Sequence, residues 1–314
     1  MKLSFSQISS FLEQYFWIVF FLGFLLGIFF PEYGKNGIFV LNGILFVILF
    51  LVFFRIDTSE VLRQVKKPIL LIYLTILFLI VFPVAVFLIS EKFFPDFALA
   101  LLLISAVPPG VSTPVLTDFV KGNIPLSLAI LVIQHLVLPF TLPPLFFLLS
   151  GVHVEIPLMD MFQRLVILIF LPILAAEICK KIFPPMFSKT IRTHGKSINI
   201  IFLFFLFYFV AAPYSEYFFR DFSGIWKQLL LLFPLFLIFH CFGYFSYFWG
   251  NFSDKVTVSI SKTYMNNGIA IVLAANFFPP EVVFFAVLSE FPWILMMFPF
   301  RWIVERTKEK LNKN

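Results

Sequence analysis

Ten runs of apolar residues, each near the length of a membrane crossing, leave this chain little room to be anything but an integral membrane protein. A helix needs roughly 20 apolar residues to cross about 30 Å of hydrocarbon. Runs that meet or approach this lie at 15–31, 37–54, 68–90, 96–120, 123–149, 157–179, 197–214, 226–249, 255–277 and 281–304. Composition agrees, since 61% of the 314 residues are apolar and only 13% charged, against about half and about a quarter in soluble domains. The net charge of +6 is spread in short clusters between the runs, which excludes a nucleic-acid footprint. The first run, beginning at Tyr15 after Lys2, is too long for a signal-peptide core and lacks a small-residue cleavage site. It reads as the first span.

Charge sets the orientation. With ten spans, both termini and the even-numbered loops share one side. That side holds 17 of the Lys and Arg residues against 5 on the other, leaving aside Lys262, which falls within a span. The positive-inside rule then makes both termini cytoplasmic, in a multi-pass protein of the cell (inner) membrane. The segment from Arg55 to Lys67 reads as an amphipathic cytoplasmic link touching anionic lipid.

Ten spans divide into two fives, and an odd-numbered repeat inserts its second copy inverted, so 1–150 and 151–314 are expected as inverted repeats. Two runs at matching positions are unusual. In the fourth, Pro108, Pro109, Gly110 and Pro114 interrupt a helical pattern, because each proline lacks an N–H and clashes with the preceding turn. In the ninth, Asn266, Asn267 and Gly268 fall at the equivalent depth. Paired interruptions of this kind point to the midplane site of a secondary transporter. Thr113 is the expected N-cap of one restarted half-helix, with Pro114 in its first turn, and Asn267 that of the other. Such N-termini suit an anion, and the unwound carbonyls beside them suit a cation.

At these residues the chain resembles the bile acid:sodium symporter family. The resemblance is carried by Pro109-Gly110-Val111-Ser112-Thr113-Pro114, by Lys121-Gly122-Asn123-Ile124-Pro125 and Ser127, by Met265-Asn266-Asn267-Gly268-Ile269-Ala270, and by Asp57, Leu62 and Lys67-Pro68. It implies ten helices arranged as a panel domain and a core domain, broken helices four and nine crossing in the core, and organic-anion substrates coupled to sodium. The chain departs from that pattern at the sodium ligands. An acidic residue is replaced by Ser261 with Lys262 beside it, a Ser-Asn pair by Thr113-Pro114, a third-helix Gln by Phe78, and a hydroxyl by Leu131; Ser127 is kept. Sodium needs several oxygens in a close shell, so these losses argue against it at those places.

Lys262 is the sharpest feature, because an ammonium near the bilayer centre costs about 3 kcal/mol or more and marks function by default. Either it occupies the volume sodium would fill, with Glu290 of the tenth run as partner and a proton as the moving cation, or it snorkels to the cytoplasmic edge. Glu290 is otherwise a buried acid satisfied by nearby polar groups. His135 and His240 fall near mid-depth, as proton relays or as structural histidines.

These observations predict an all-α, ten-helix carrier of a small carboxylate-type anion working by alternating access. Ser112, Thr113, Asn266 and Asn267 line its substrate site; Lys262, Glu290, Ser127 and Ser261 belong to coupling. The coupling ion is H⁺ or none, with an ordinary Na⁺ symporter as the alternative. A design like that of auxin-efflux carriers is a near relative of this reading, and a sensor or assembly subunit on the same fold is the other class. Neither the clustered acids nor the histidine boxes of membrane lipid enzymes occur, so no enzyme, cofactor or metal centre is expected; Cys179 and Cys241 stand apart and supply none. The expected partners are the anion and the lipid bilayer.

Overall fold

Several helices of this protein begin or end at a proline or a polar residue. The computed structural model describes residues 15–35, 37–57, 59, 61, 68–149, 157–220 and 222–311. Lys2, Leu62, Arg63, Lys66, Lys67, Lys313 and the junction at 150–151 lie outside the described residues. The main helices are α1 (Phe16–Phe29), α2 (Ile38–Arg55), α3 (Pro68–Phe93), α4 (Ala98–Ala106), α5 (Thr113–Phe119), α6 (Ile124–Leu149), α7 (Leu158–Ile182) and α8 (Pro185–Ala211), the last followed by a short helix at Ser215–Arg220. They continue with α9 (Phe222–Ser246), α10 (Phe252–Thr263), α11 (Asn267–Phe277), α12 (Pro280–Leu288), α13 (Glu290–Leu295) and α14 (Met297–Leu311).

The protein is all-helical and multi-pass. Five helical stretches are long and apolar enough to cross a membrane: Pro68–Phe93, Ile124–Leu149, Pro185–Arg220, Ser223–Ser246 and Pro280–Leu311. Phe39–Arg55, Pro95–Ala106 and Asn267–Phe277 are shorter apolar helices. The fourth run is divided into α4 and α5 and the ninth into α10 and α11, as the prolines and asparagines require. The tenth run, expected as one helix, is interrupted at Ser289 and Met296.

Two compact units are interleaved along the chain, residues 1–56, 163–222 and 271–280 in the first and 57–162, 223–270 and 281–314 in the second. Each draws on both halves of the sequence. In the first unit, α1 and α8 meet closely. A Cβ on Gly23 would lie 2.5 Å from the Phe204 carbonyl oxygen, and one on Gly27 would lie 2.7 Å from that of Tyr208. Small residues four apart let membrane helices approach in this way.

The second unit is built around α10. Its sequence, Phe252 to Thr263, is rich in polar residues, yet every residue from Val256 to Thr263 is buried. Most of its polar groups are hydrogen-bonded, which makes the burial tolerable. Thr257 Oγ1 donates to Ser253 O at 2.8 Å, Thr263 Oγ1 to Ser259 O at 2.8 Å, and Ser259 Oγ to His240 O at 2.8 Å. At one end of α10, Asp254 accepts from Asn123 Nδ2 at 2.7 Å and Asn251 Nδ2 at 3.1 Å, joining the starts of α6 and α10. Asn123 in turn caps α6, its Oδ1 accepting from Leu126 N at 3.1 Å.

Asp254→Ala leaves two amides without an acceptor, which costs about 2–4 kcal/mol. The expected result is a melting temperature lower by about 5 °C in detergent. A variant that melts with the wild type would show that the joint carries no weight.

Candidate functional site

Within the second unit the two helix breaks pair. Pro108 and Pro109 cannot donate, and a residue before proline is pushed toward extended backbone; Val107 ends α4 at ψ 151°. The resulting extended stretch forms an antiparallel bridge, Pro109 opposite Met265. Gly110 N donates to Tyr264 O at 2.6 Å and Asn266 N to Pro108 O at 2.8 Å. Trp293 Nε1 of α13 adds a bond to Met265 O at 3.1 Å. A Cβ at position 110 would stand 2.9 Å from Met265 O and 3.0 Å from Tyr264 O, so only glycine allows this approach.

Both expected caps shift by one residue. Ser112, half-buried, holds the N-cap position of α5. Thr113 is fully buried and turns its hydroxyl back onto Gly110 O at 2.8 Å. At α11 the cap is Asn266, whose Oδ1 accepts from Ile269 N at 3.2 Å. Asn267 begins the helix instead, buried, with neither amide atom in a close hydrogen bond to a described residue. Its electrostatic partner is the buried carboxyl of Glu290 on α13.

Lys262 does not meet Glu290, which corrects the pairing expected from their depths. Its ammonium is buried and donates to Ser105 O at 2.7 Å and Phe78 O at 3.2 Å. Proline frees both carbonyls. The helical donor to Ser105 O would be the N–H of residue 109, which is Pro109. In α3 a π-helical turn spans Leu77–Val81, and Phe82 N donates to Leu77 O. In that register the donor to Phe78 O would be residue 83, which is Pro83. Orphaned carbonyls of this kind need an outside partner, and one ammonium serves both.

Aromatic rings close the rest of the cage. The Lys262 nitrogen lies 4.5 Å from the ring centroid of Phe82 and 5.4 Å from those of Phe78 and Phe239. The negative faces of such rings attract a cation, more so away from water. The cage depends on a close approach of α9 to α10, where a Cβ on Gly243 would fall 2.7 Å from Ser259 Cα and 3.0 Å from Lys262 Cβ.

Hydrogen-bond partners assign the tautomers of both histidines. His135 Nδ1 lies 2.8 Å from Leu131 O, which can only accept, so Nδ1 carries the proton and Nε2 accepts from Asn266 Nδ2 at 3.0 Å. Ser259 spends its own proton on His240 O, so its Oγ accepts from His240 Nδ1 at 3.2 Å. His240 Nε2 is left to accept from the Tyr264 hydroxyl at 3.3 Å. Ser127 and Ser261 are buried, with hydroxyls that bond no described residue.

Asp254, Tyr264 and the carbonyl of Ser105 escaped the sequence reading. Phe78 was noticed there for the side chain it lacks, whereas the structure uses its ring and its backbone oxygen. A proline four residues after Ser105 and another five after Phe78 were the available signals for the two carbonyls.

The two interrupted helices thus meet at an antiparallel bridge near a buried ammonium, in a helical protein with several apolar helices of membrane length. The chain belongs to the sodium bile acid symporter family, whose model matches residues 43–220. It is therefore a membrane transporter of the bile acid/sodium symporter type. The matched stretch contains the break between α4 and α5 but ends before the one between α10 and α11. No curated protein matches the chain.

Proposed function

We propose that this protein carries a small organic anion of carboxylate type across the cell membrane by alternating access, without sodium. Lys262 serves as a fixed counter-charge where a mobile cation would sit. The observation that carries this reading is the Lys262 cage, two proline-freed carbonyls and three ring faces around one ammonium. These contacts hold a cation without an acidic partner, and the tether keeps it in place.

In this reading Ser112, Thr113, Asn266 and Asn267 at the paired breaks form the anion site. The start of α11 contributes the positive end of a helix dipole, with Asn266 taking the Ile269 N–H. Glu290, beside Asn267, is the group left for a moving proton where transport is proton-coupled. His135 and His240, with both ring nitrogens engaged, hold the break and its flank in shape. Ten spans in two inverted repeats, 1–150 and 151–314, with both termini cytoplasmic in an inner membrane, complete the proposal; the charge division of 17 to 5 supports the orientation.

Ser127 and Ser261 favour a second reading, an ordinary sodium symporter. Both hydroxyls are buried without a described partner, and a cation bound there would satisfy them.

Thermal stability of the purified protein in Na⁺ against K⁺ at matched ionic strength separates the two, because a ligand that binds only the folded state raises the melting temperature by mass action. Equal stability in the two salts, with carboxylate uptake into proteoliposomes lacking sodium, is the expected result. A sodium-specific rise would remove the fixed-cation reading and leave the sodium symporter.

A further inference from the structure

The joint between α7 and α8, in the first unit, is basic and apolar at once. Between Leu171 and Asn199 the chain carries five Lys and Arg against one acid, Glu177. Lys180 answers that acid: its Nζ donates to Glu177 Oε1 at 2.6 Å and to Ile56 O at 3.0 Å, tying the end of α7 to the end of α2. Lys181, Lys189 and Arg192 are exposed, and their charged groups pair with no described carboxylate. Apolar side chains stand among these cations. Ile182 is 73% and Met186 79% exposed, with Phe183 and Phe187 beside them, also partly exposed. An apolar patch of this kind marks a surface that meets protein or lipid rather than water.

Two features of the packing favour lipid. Leu171, Leu174, Ile178 and Ile182 are all exposed and fall three or four residues apart, so one uncovered stripe runs along α7 into the joint. In the proposed ten-span arrangement that stripe faces the bilayer. The second feature is depth. The Phe187 ring lies 6.2 Å from that of Phe54 and 4.6 Å from that of Phe183, while a Cβ on Gly195 would lie 3.1 Å from Arg55 Cδ. From Phe187 to Gly195 a helix rises about 12 Å, yet these two positions meet adjacent residues of α2. The start of α8 therefore passes across the end of α2, where the second apolar run stops, instead of standing off into water.

We propose that the α7–α8 joint is a membrane-surface element that binds anionic phospholipid. The phosphate-bearing headgroup lies on Lys181, Lys189 and Arg192, and Ile182, Phe183 and Met186 enter the acyl layer beneath it. Cations at headgroup level with apolar side chains below them are the arrangement that holds a helix in the plane of a charged bilayer surface. An acidic protein would complement the cations but not an apolar patch continuous with the lipid face of α7; an anionic lipid complements both. The proposal rests on α7 and α8 being spans and not on what the carrier moves.

The test is native mass spectrometry of the full chain in detergent, titrated with dioleoylphosphatidylglycerol and, separately, with dioleoylphosphatidylcholine. A cation beside an anionic headgroup is worth about fivefold in affinity. Phosphatidylglycerol should therefore bind at least tenfold more tightly than phosphatidylcholine, and the preference should vanish in a Lys181→Gln, Lys189→Gln, Arg192→Gln triple variant. Arg306→Gln with Lys310→Gln, which removes cations from the end of α14, should keep it. Ile182→Gln with Met186→Gln alters only exposed side chains and keeps every charge, so it decides the matter if the triple variant does not fold. Both lipids should weaken alike in it, by about fivefold or more. Equal binding of the two lipids by the wild type would overturn the proposal and leave the cations a solvated face. A preference that survives in the triple variant, or that is lost equally in the α14 variant, would overturn it as well, as would unchanged affinities in the glutamine pair. Lipid preference is read without transport, so its failure leaves the carrier proposal untouched.

Discussion

Lys262→Met is expected to lower the melting temperature by about 6–10 °C and to reduce uptake to background. The side chain keeps its length and loses its charge, so Ser105 O and Phe78 O are left buried without a donor. That loss and the absent cation–π attraction together cost about 3–5 kcal/mol, at about 2 °C per kcal/mol for a chain of this size. Lys262→Arg should not restore function, because a planar guanidinium does not fit a cage shaped around a compact ammonium. Lys262→Ala opens the same cage to a free cation. Methylammonium at ten times its Kd should then recover about 3 °C. A methionine variant that melts and transports like the wild type would end the fixed-cation reading.

Gly110→Val is expected to abolish uptake and cost about 2–4 kcal/mol of stability, because the added carbons must displace backbone rather than a flexible side chain. The obstructing atoms are the carbonyl oxygens of Met265 and Tyr264, 2.9 and 3.0 Å from a Cβ at this position. Moving them apart strains the bond from Gly110 N to Tyr264 O and that from Asn266 N to Pro108 O. Gly110→Ala, with less to accommodate, should fall between the two in both uptake and melting temperature. Full uptake by the valine variant would show that the paired breaks need no close contact for transport.

Much of the architecture was legible in the sequence. Apolar runs indicated a multi-pass helical protein because hydrocarbon cannot satisfy open backbone. Pro108 and Pro109 marked the break after α4 because two adjacent residues without an N–H, followed by Gly110, leave consecutive turns unbonded. Asn266, Asn267 and Gly268 marked the break before α11, but which asparagine caps it depends on where the bridge to Pro109 leaves the chain. The tenth run carries Pro292 and Pro299, four residues after Leu288 and Leu295, and the turns at Ser289 and Met296 fall there, although the interruption was not anticipated. The polarity of α10 made it the weakest span by hydropathy; in the structure that same polarity lies inside the second unit, bonded within α10 and to α3, α4, α9 and Asn123.

The sequence by itself determined that the protein lives in a membrane, where two of its helices break, and that one lysine falls within an apolar run, either buried or snorkelling to its edge. The tertiary structure decided what that lysine does. Its two carbonyl partners lie 184 and 157 residues away along the chain. Local sequence shows that a proline frees a carbonyl, but only packing brings the freed oxygens of two helices to one ammonium on a third.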